Sequence, residues 1–202
     1  MEPRPGIYRH FKGGKYLVFG VSTGTEDGKK VVVYTALYEP HCGKIDHRPL
    51  ENFTENVDDA KHNYKGPRFR ALESFEKLIS DLNIILPEIC SRETSSDPNG
   101  YTDTNPLWGH GAVVALLVQD VFGGDLLRAS LEGTPFAKMR SHYWNRLPGG
   151  MVLDFTASQF GEVYPISFSQ AEVRSRDYVL SNQETKTRYE LLKKFYDQTQ
   201  TP

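Results

Sequence analysis

The chain has few cysteines, no long apolar run and almost no excess charge of one sign. Its 202 residues include only Cys42 and Cys90, which are too few for a disulfide framework. No window approaches the roughly 18 apolar residues that a membrane-spanning helix needs. The formal net charge of -2 gives no overall attraction to nucleic acid or to an anionic bilayer. These absences predict a soluble globular protein with no membrane partner, and its charge does not indicate a nucleic-acid partner.

The first residues also lack a targeting signal. The opening MEPRPGIYRH has neither the basic n-region nor the apolar h-region of a secretion signal. We therefore expect a cytoplasmic protein whose cysteines are reduced thiols. The sequence does not indicate the oligomeric state or the substrate or protein partner.

The hydrophobic pattern changes along the chain and predicts two domains. Residues 1–58 contain short β-branched and aromatic runs punctuated by glycine, which is typical of a small, strongly bent β-barrel. Residues 58–68 are polar and broken by Gly66-Pro67, which predicts an exposed linker. Residues 69–202 mix helical and strand periods. We therefore expect an α+β protein, with domain boundaries at 1–58 and 69–202.

Five elements are predicted in the second domain. They are an amphipathic helix over 69–83, a short helix beginning at Pro87, an apolar central helix over 112–122, a hairpin around the PGG turn at 148–150, and a C-terminal amphipathic helix. If Leu147 pairs with Met151 across the turn, His142 and Asp154 lie on the same face of the hairpin.

Both regions resemble known bacterial families. PGIYRHFKGGKYLVFGVS, VVVYTALY and RPLENFTENV, within residues 5–57, resemble a small domain of unknown function. The motifs of residues 70–195 occur in the order of the YunG-like family: ETSSDP, GHGAVVALLVQDVFGGDLLRA, SHYWNRLPGG, LDFTASQF and RSRDYVLSNQETKTRYELL. Together with the element pattern, these resemblances imply a small SH3-like β-barrel followed by a papain-like α+β domain.

The resemblance also implies a catalytic site, and this chain lacks one of the residues of that site. Members of the YunG-like family typically read G-Q-C-A at the entrance to the central helix, where this chain reads Gly109-His110-Gly111-Ala112. A thiol at a helix N-terminus is activated because the free N-H groups stabilise the thiolate. His142 is the candidate base and Asp154 the candidate group that orients it. His110 replaces the family's glutamine. A glutamine amide at this place can donate a hydrogen bond to an oxyanion, and an imidazole N-H can do the same.

Several functions remain open. The favoured hypothesis is a thiol-hydrolase-type site for an amide, ester or related acyl bond, inactive as written because Gly111 carries no nucleophile, whether by natural loss or by engineering. The alternative is a binding module that recognises a peptide or nucleic acid through the N-terminal barrel. A third hypothesis is an active enzyme of other chemistry that uses His110 with His142. Against all three, Gly-His-Gly before an apolar run is also typical of a tight structural loop.

No cofactor or metal is predicted. The Gly-His-Gly sequence lacks the third glycine and the preceding strand of a dinucleotide-binding loop. The spacing of His41, Cys42 and His47, with His10 or His62, matches no regular zinc motif. Cys90 is interpreted as a small buried hydrophobe. The aromatics of the first domain are interpreted as barrel core rather than as a stacking platform; they are Tyr8, Phe11, Tyr16 and Tyr34.

Overall fold

The computed structural model describes residues 2–38, 40–41, 44–147, 150–167 and 170–200. The chain forms two compact units, Met1–Ser80 and Asp81–Pro202, and its fold class is mixed α+β as predicted. Helix α2 (Phe75–Ile89) continues across the division between the units. Within the described residues, no helix is both long enough and apolar enough to span a membrane.

The first unit is built on an open antiparallel sheet. Its elements are β1 (Gly6–His10), β2 (Lys15–Thr23), β3 (Lys30–Ala36), β4 (Ile45–Pro49), α1 (Leu50–Thr54), β5 (Asn56–Asp59), β6 (Tyr64–Pro67) and β7 (Phe69–Ser74). Five of these strands form one sheet in the order β4-β3-β2-β1-β7, and β5 pairs with β6 in a separate hairpin. Side chains on one face of the large sheet, together with Phe53 of α1, form the core: Tyr8, Val18, Val32, Tyr34 and Phe69.

The small closed barrel expected from the sequence is not formed. Among the described residues no strand pairing joins β4 to β7, so both are edges of the sheet. The chain between them forms α1 and the β5–β6 hairpin, and Phe53 of α1 stacks on Phe69 at 4.1 Å between ring centroids. A short helix therefore covers apolar surface that closure of a barrel would otherwise bury.

The polar stretch 58–68 is structured, although its composition predicts an exposed linker. Asp58 pairs with Lys65 in the β5–β6 hairpin, and their side chains form an exposed salt bridge of 2.9 Å. Strand β7, which follows directly, pairs with β1. The charge of this stretch reflects a solvent-facing hairpin rather than an unstructured connection.

The predicted helix over 69–83 is displaced toward the C-terminus. Residues Phe69–Ser74 are strand β7, and α2 begins only at Phe75. The helix then runs to Ile89 with Pro87 inside it, so no separate helix begins at Pro87. Phe69 and Leu72 fit a helical period, but pairing with β1 determines their conformation.

The second unit packs an apolar helix against a small sheet. After α2 its elements are α3 (Gly111–Phe122), β8 (Asp125–Ser130), β9 (Ser141–Arg146), β10 (Val152–Leu153), β11 (Glu172–Arg174), α4 (Arg176–Leu180) and α5 (Gln183–Thr199). The strand order is β10-β9-β8-β11, with every pairing antiparallel. Helix α3 is the predicted central helix, and most of its residues are buried.

The register of the β9–β10 hairpin is the one that the sequence predicts. The Leu147 N-H donates to the Met151 carbonyl at 2.7 Å, and Val152 pairs with Arg146. Residues 148 and 149 of the PGG turn lie outside the described residues. This register determines which residues before and after the turn lie on the same face of the sheet.

Candidate functional site

Helix α3 begins at Gly111, inside the second unit. Gly111 is buried, and the chain before it enters through Gly109, whose φ of +76° favours glycine. The Gly109 N-H donates to Gln159 Oε1 at 3.0 Å, and Gln159 Nε2 donates to the Thr156 carbonyl at 2.8 Å. These bonds hold the N-terminus of α3 to the segment that follows Asp154.

His142 lies in β9, directly opposite that helix N-terminus. A Cβ placed on Gly111 would be 2.7 Å from His142 Nδ1 and 3.1 Å from Cε1. The ring is only 2% exposed, stacks on Trp144 and makes a T-shaped contact with Phe160. Pairing of His142 with Ala129 of β8 and these two rings hold the imidazole in one orientation.

Asp154 follows β10 and holds the other nitrogen of His142. Its Oδ2 lies 2.7 Å from His142 Nε2 and accepts the Tyr164 hydroxyl, also at 2.7 Å. Its Oδ1 accepts both the backbone N-H and the hydroxyl of Thr156, each at 3.0 Å. Because an ionised carboxylate only accepts, Nε2 carries a proton, and in the neutral ring Nδ1 is the acceptor that faces Gly111.

Two opposing effects determine the pKa of Asp154. Burial disfavours the charged form, whereas hydrogen bonds from His142, Tyr164 and Thr156 stabilise it, and the net effect is a pKa below its usual value. Burial and the neighbouring Asp154 charge raise the pKa of Tyr164, which keeps its hydroxyl a donor. The pair is thus held as a carboxylate and a histidine whose Nε2 is protonated.

The structure therefore brings Gly111, His142 and Asp154 together, with the imidazole between the other two. The same distances show that the site is closed. The nitrogen that would accept a proton from a nucleophile already lies within 3 Å of the Cβ position on Gly111, so any side chain there requires the ring or the helix to shift. Glycine is needed here for space and not for a left-handed backbone, since Gly111 is not among the glycines with positive φ.

His110 has different surroundings. Its ring is fully buried, its Nε2 lies 2.8 Å from Thr94 Oγ1, and the Tyr101 ring centre is 6.2 Å away. Burial lowers the pKa of His110 to about 4, so the ring is neutral near pH 7. These contacts connect the helix N-terminus with the loop after α2. None of them is shared with His142 or Asp154.

Other residues of the site were not found from the sequence. Thr156, Gln159 and Phe160 lie in the LDFTASQF motif, and a threonine two residues after an aspartate is a signal of local carboxylate capping. Tyr164 carries no sequence signal, because the irregular chain after Phe160 brings it back to Asp154.

Cys90 is not arranged as a substitute nucleophile, and no cluster of metal-ligating side chains is found among the described residues. Cys90 is buried, and burial raises the pKa of its thiol, which makes the thiolate unfavourable. No group of three His, Cys, Asp or Glu side chains in the described ranges is arranged to hold a metal ion. Cys42, which the sequence places beside His41, lies outside those ranges.

The fold and the site define a two-unit α+β protein whose second unit holds a carboxylate-histidine pair against a glycine at a helix N-terminus. Comparison with known proteins identifies the family. Residues 78–200, more than half of the chain, match the family described as YunG protein, and the chain belongs to this family. Residues 6–71 match a protein family of unknown function, DUF1653.

Two relatives illustrate these matches. The chain is 34% identical over 76 residues to the uncharacterized protein YunG of Bacillus subtilis (strain 168), a match that covers 38% of this chain and 57% of the relative. The match thus spans less than two thirds of that relative's length. The crystal structure of a DUF1653 protein from Bordetella bronchiseptica is 39% identical, covering 36% of this chain and 88% of that chain with a TM-score of 0.32.

Proposed function

We propose that the second unit contains a thiol-hydrolase-type site for an amide, ester or related acyl bond, with Gly111 at the nucleophile position. The observation that carries the proposal is the place of His142, with Nε2 on Asp154 and Nδ1 facing position 111. A cysteine at 111 would stand at the first residue of α3 and transfer its proton to Nδ1. With glycine there, no atom is present to attack a carbonyl carbon, so this chain is inactive in that reaction.

A papain-like layout is part of this proposal and rests on analogy. The supporting features are a central helix that begins at the nucleophile position and an adjoining hairpin that supplies the base and its carboxylate. In the proposed site the free N-H groups at the start of α3 are the oxyanion donors. We assign His110 a structural role instead, because its ring is engaged with Thr94.

A non-catalytic binding protein is the second candidate. It is favoured by the closure of the site, since Gly111 is buried and His142 is only 2% exposed. In this case the His142–Asp154 pair serves only to fix β9 and the chain after β10. The two candidates differ in whether a thiol at position 111 is activated.

The test is to introduce that thiol and measure its reactivity against pH. In a Cys42→Ala, Cys90→Ala background, Gly111→Cys should be alkylated by iodoacetamide well below the pKa of about 8.5 of an ordinary thiol. Cys90→Ala is preferred to serine because a hydroxyl there would be buried. Alkylation is followed by mass spectrometry, with circular dichroism to show that each variant is folded.

Two comparisons separate the effect of His142 from that of the helix. Gln183→Cys, in the same background, puts an exposed thiol at the first residue of the 17-residue helix α5 and serves as the matched control. Adding His142→Gln to Gly111→Cys should shift the pH profile of its alkylation to that of the Gln183→Cys control. Equal pH profiles for both thiols, or indifference of the Gly111→Cys rate to His142→Gln, would reject the hydrolase proposal and leave the binding protein.

A further inference from the structure

Three polar side chains of the first unit surround the ring of Phe69, and we call these three, together with Tyr38 beside them, the Phe69 cluster. The Arg48 guanidinium lies 5.8 Å from the ring centre, and the rings of His10 and Tyr16 lie 4.8 and 5.5 Å from it. Tyr38 joins through its hydroxyl, which is 2.5 Å from that of Tyr16. Phe69 itself is buried, so the cluster has an apolar floor.

Arg48 is the cation of this cluster, and its guanidinium is incompletely satisfied. It is half-buried, and its Nε is buried with no hydrogen-bond partner among the described residues. Within the same ranges no carboxylate forms an ion pair with it, whereas the nearby Arg68 is paired with Glu55. A buried N-H without an acceptor is unfavourable, and an anionic ligand that draws the guanidinium toward itself would satisfy this donor.

His10 contributes a neutral donor. Its Nδ1 accepts the Lys12 backbone N-H at 3.3 Å, so the ring proton is on Nε2. Burial and then the positive charges of Arg68, Arg48, Lys12 and His62 lower the pKa of His10 to about 4. Asp59 faces His62 across a 3.0 Å contact, and Glu55 faces Arg68, but no carboxylate contributes to the shift at His10. The charged groups that act on His10 are thus cationic, and Arg48 is the one that lies over the Phe69 ring.

The two tyrosines add one more donor. Burial and the shared hydrogen bond raise the pKa of Tyr16, so the phenol stays protonated near neutral pH. In a pair of hydroxyls one donates to the other, which leaves the second proton free to donate outward. The cluster therefore presents N-H and O-H donors of three kinds and a net positive charge.

We propose that the Phe69 cluster binds a phosphate group. A tetrahedral anion with several equivalent oxygens can accept hydrogen bonds from Arg48, His10 and the Tyr16–Tyr38 pair, which are grouped at the Phe69 ring. Arginine suits such an oxyanion because its N-H groups are fixed in a plane. This site lies in the first unit and does not depend on the hydrolase proposal.

The test uses the full chain labelled with 15N and titrated with inorganic phosphate at constant ionic strength. We expect saturable shifts of the Arg48 Nε-H and of the His10 and Lys12 amides, with a Kd of about 1 mM. Arg48→Gln should weaken binding by ~10-fold or more. Arg70→Gln removes the same charge from an exposed position of β7 and is the matched control, with binding expected within ~2-fold of the parent chain.

Further measurements test the proposal independently of Arg48 and identify the class of phosphate ligand. Replacing both tyrosines of the pair (Tyr16→Phe with Tyr38→Phe) removes the outward O-H donor, should weaken phosphate binding ~5-fold, and tests the site even if Arg48→Gln does not fold. Phenyl phosphate that binds more tightly than inorganic phosphate would indicate a phosphate monoester as the ligand, and equal affinity would indicate the free anion. Non-saturating shifts, equal losses in Arg48→Gln and Arg70→Gln, or acetate binding as tightly as phosphate would overturn the proposal.

Discussion

Replacing Asp154 by asparagine should strongly destabilise the second unit. The carboxylate accepts from His142 and Tyr164 on one oxygen and twice from Thr156 on the other. An asparagine keeps one acceptor oxygen and turns an NH₂ group toward two of these donors. Loss of two hydrogen bonds to a charged acceptor, at about 1.5 kcal/mol each, lowers the free energy of unfolding by about 3 kcal/mol.

Tryptophan fluorescence can report this loss for the second unit alone. Both tryptophans of the chain, Trp108 and Trp144, belong to that unit, and Trp144 stacks on His142. Urea unfolding at neutral pH then gives the change in the free energy of unfolding. It is obtained from the shift of the midpoint when the dependence of that free energy on urea concentration has the same slope in both proteins. Asp125→Asn is the matched control, because that carboxylate is 46% exposed in its pair with Arg146 and should contribute at most about 1 kcal/mol.

The pH dependence provides a second measurement of the same interaction. Because folding lowers the pKa of Asp154, its contribution to stability is complete above the unfolded pKa of about 3.9 and is lost as the pH falls through the folded pKa. The difference between the parent chain and Asp154→Asn should therefore shrink below pH ~4. An Asp154→Asn loss no larger than that of Asp125→Asn would refute the reasoning.

Three further predictions follow from the site and the unit boundary. Gly111→Ala should cost about 1–3 kcal/mol and lower the melting temperature, because the new Cβ meets His142 Nδ1; a melting temperature equal to the parent's would show that the ring yields freely. Tyr164→Phe should raise the pKa of Asp154, so that urea titrations show the fall in stability at low pH beginning at a higher pH than in the parent chain. An unchanged pH dependence at low pH would contradict this. A fragment of residues 75–202 should unfold cooperatively by tryptophan fluorescence, whereas a non-cooperative transition would place part of its core in the first unit.

The fold was predictable where local pattern and final structure agree. The apolar run after Gly111 becomes α3, and the hairpin register follows from the pairing of Leu147 with Met151. The prediction was wrong where pairing with a strand distant in sequence determines the secondary structure. Phe69 fits a helical period, but β1 lies beside it and makes it a strand. No local pattern reports that β1 will be adjacent.

The site was predictable only in its outline. Spacing around the PGG turn put His142 and Asp154 on one face, and the structure gives a 2.7 Å contact between them. The closeness of His142 Nδ1 to Gly111 could not be read from the sequence, because it depends on how deeply α3 packs against β9. Tyr164 was missed for a similar reason, since irregular chain after Phe160 carries it back to Asp154.

A site of this kind can persist without catalysis, because its polar groups also stabilise the fold. Asp154 is 9% exposed and His142 2% exposed, and removing either partner would leave the other buried with unpaired polar atoms. Retention of the pair is therefore expected in an active hydrolase and in an inactive relative alike. Position 111 differs, because glycine there supplies no hydrogen-bonding side chain and allows the imidazole to approach the helix. A large stability loss in Asp154→Asn would thus account for the pair through folding alone, and only the pH profile of an introduced thiol at position 111 distinguishes a former active site from a structural histidine.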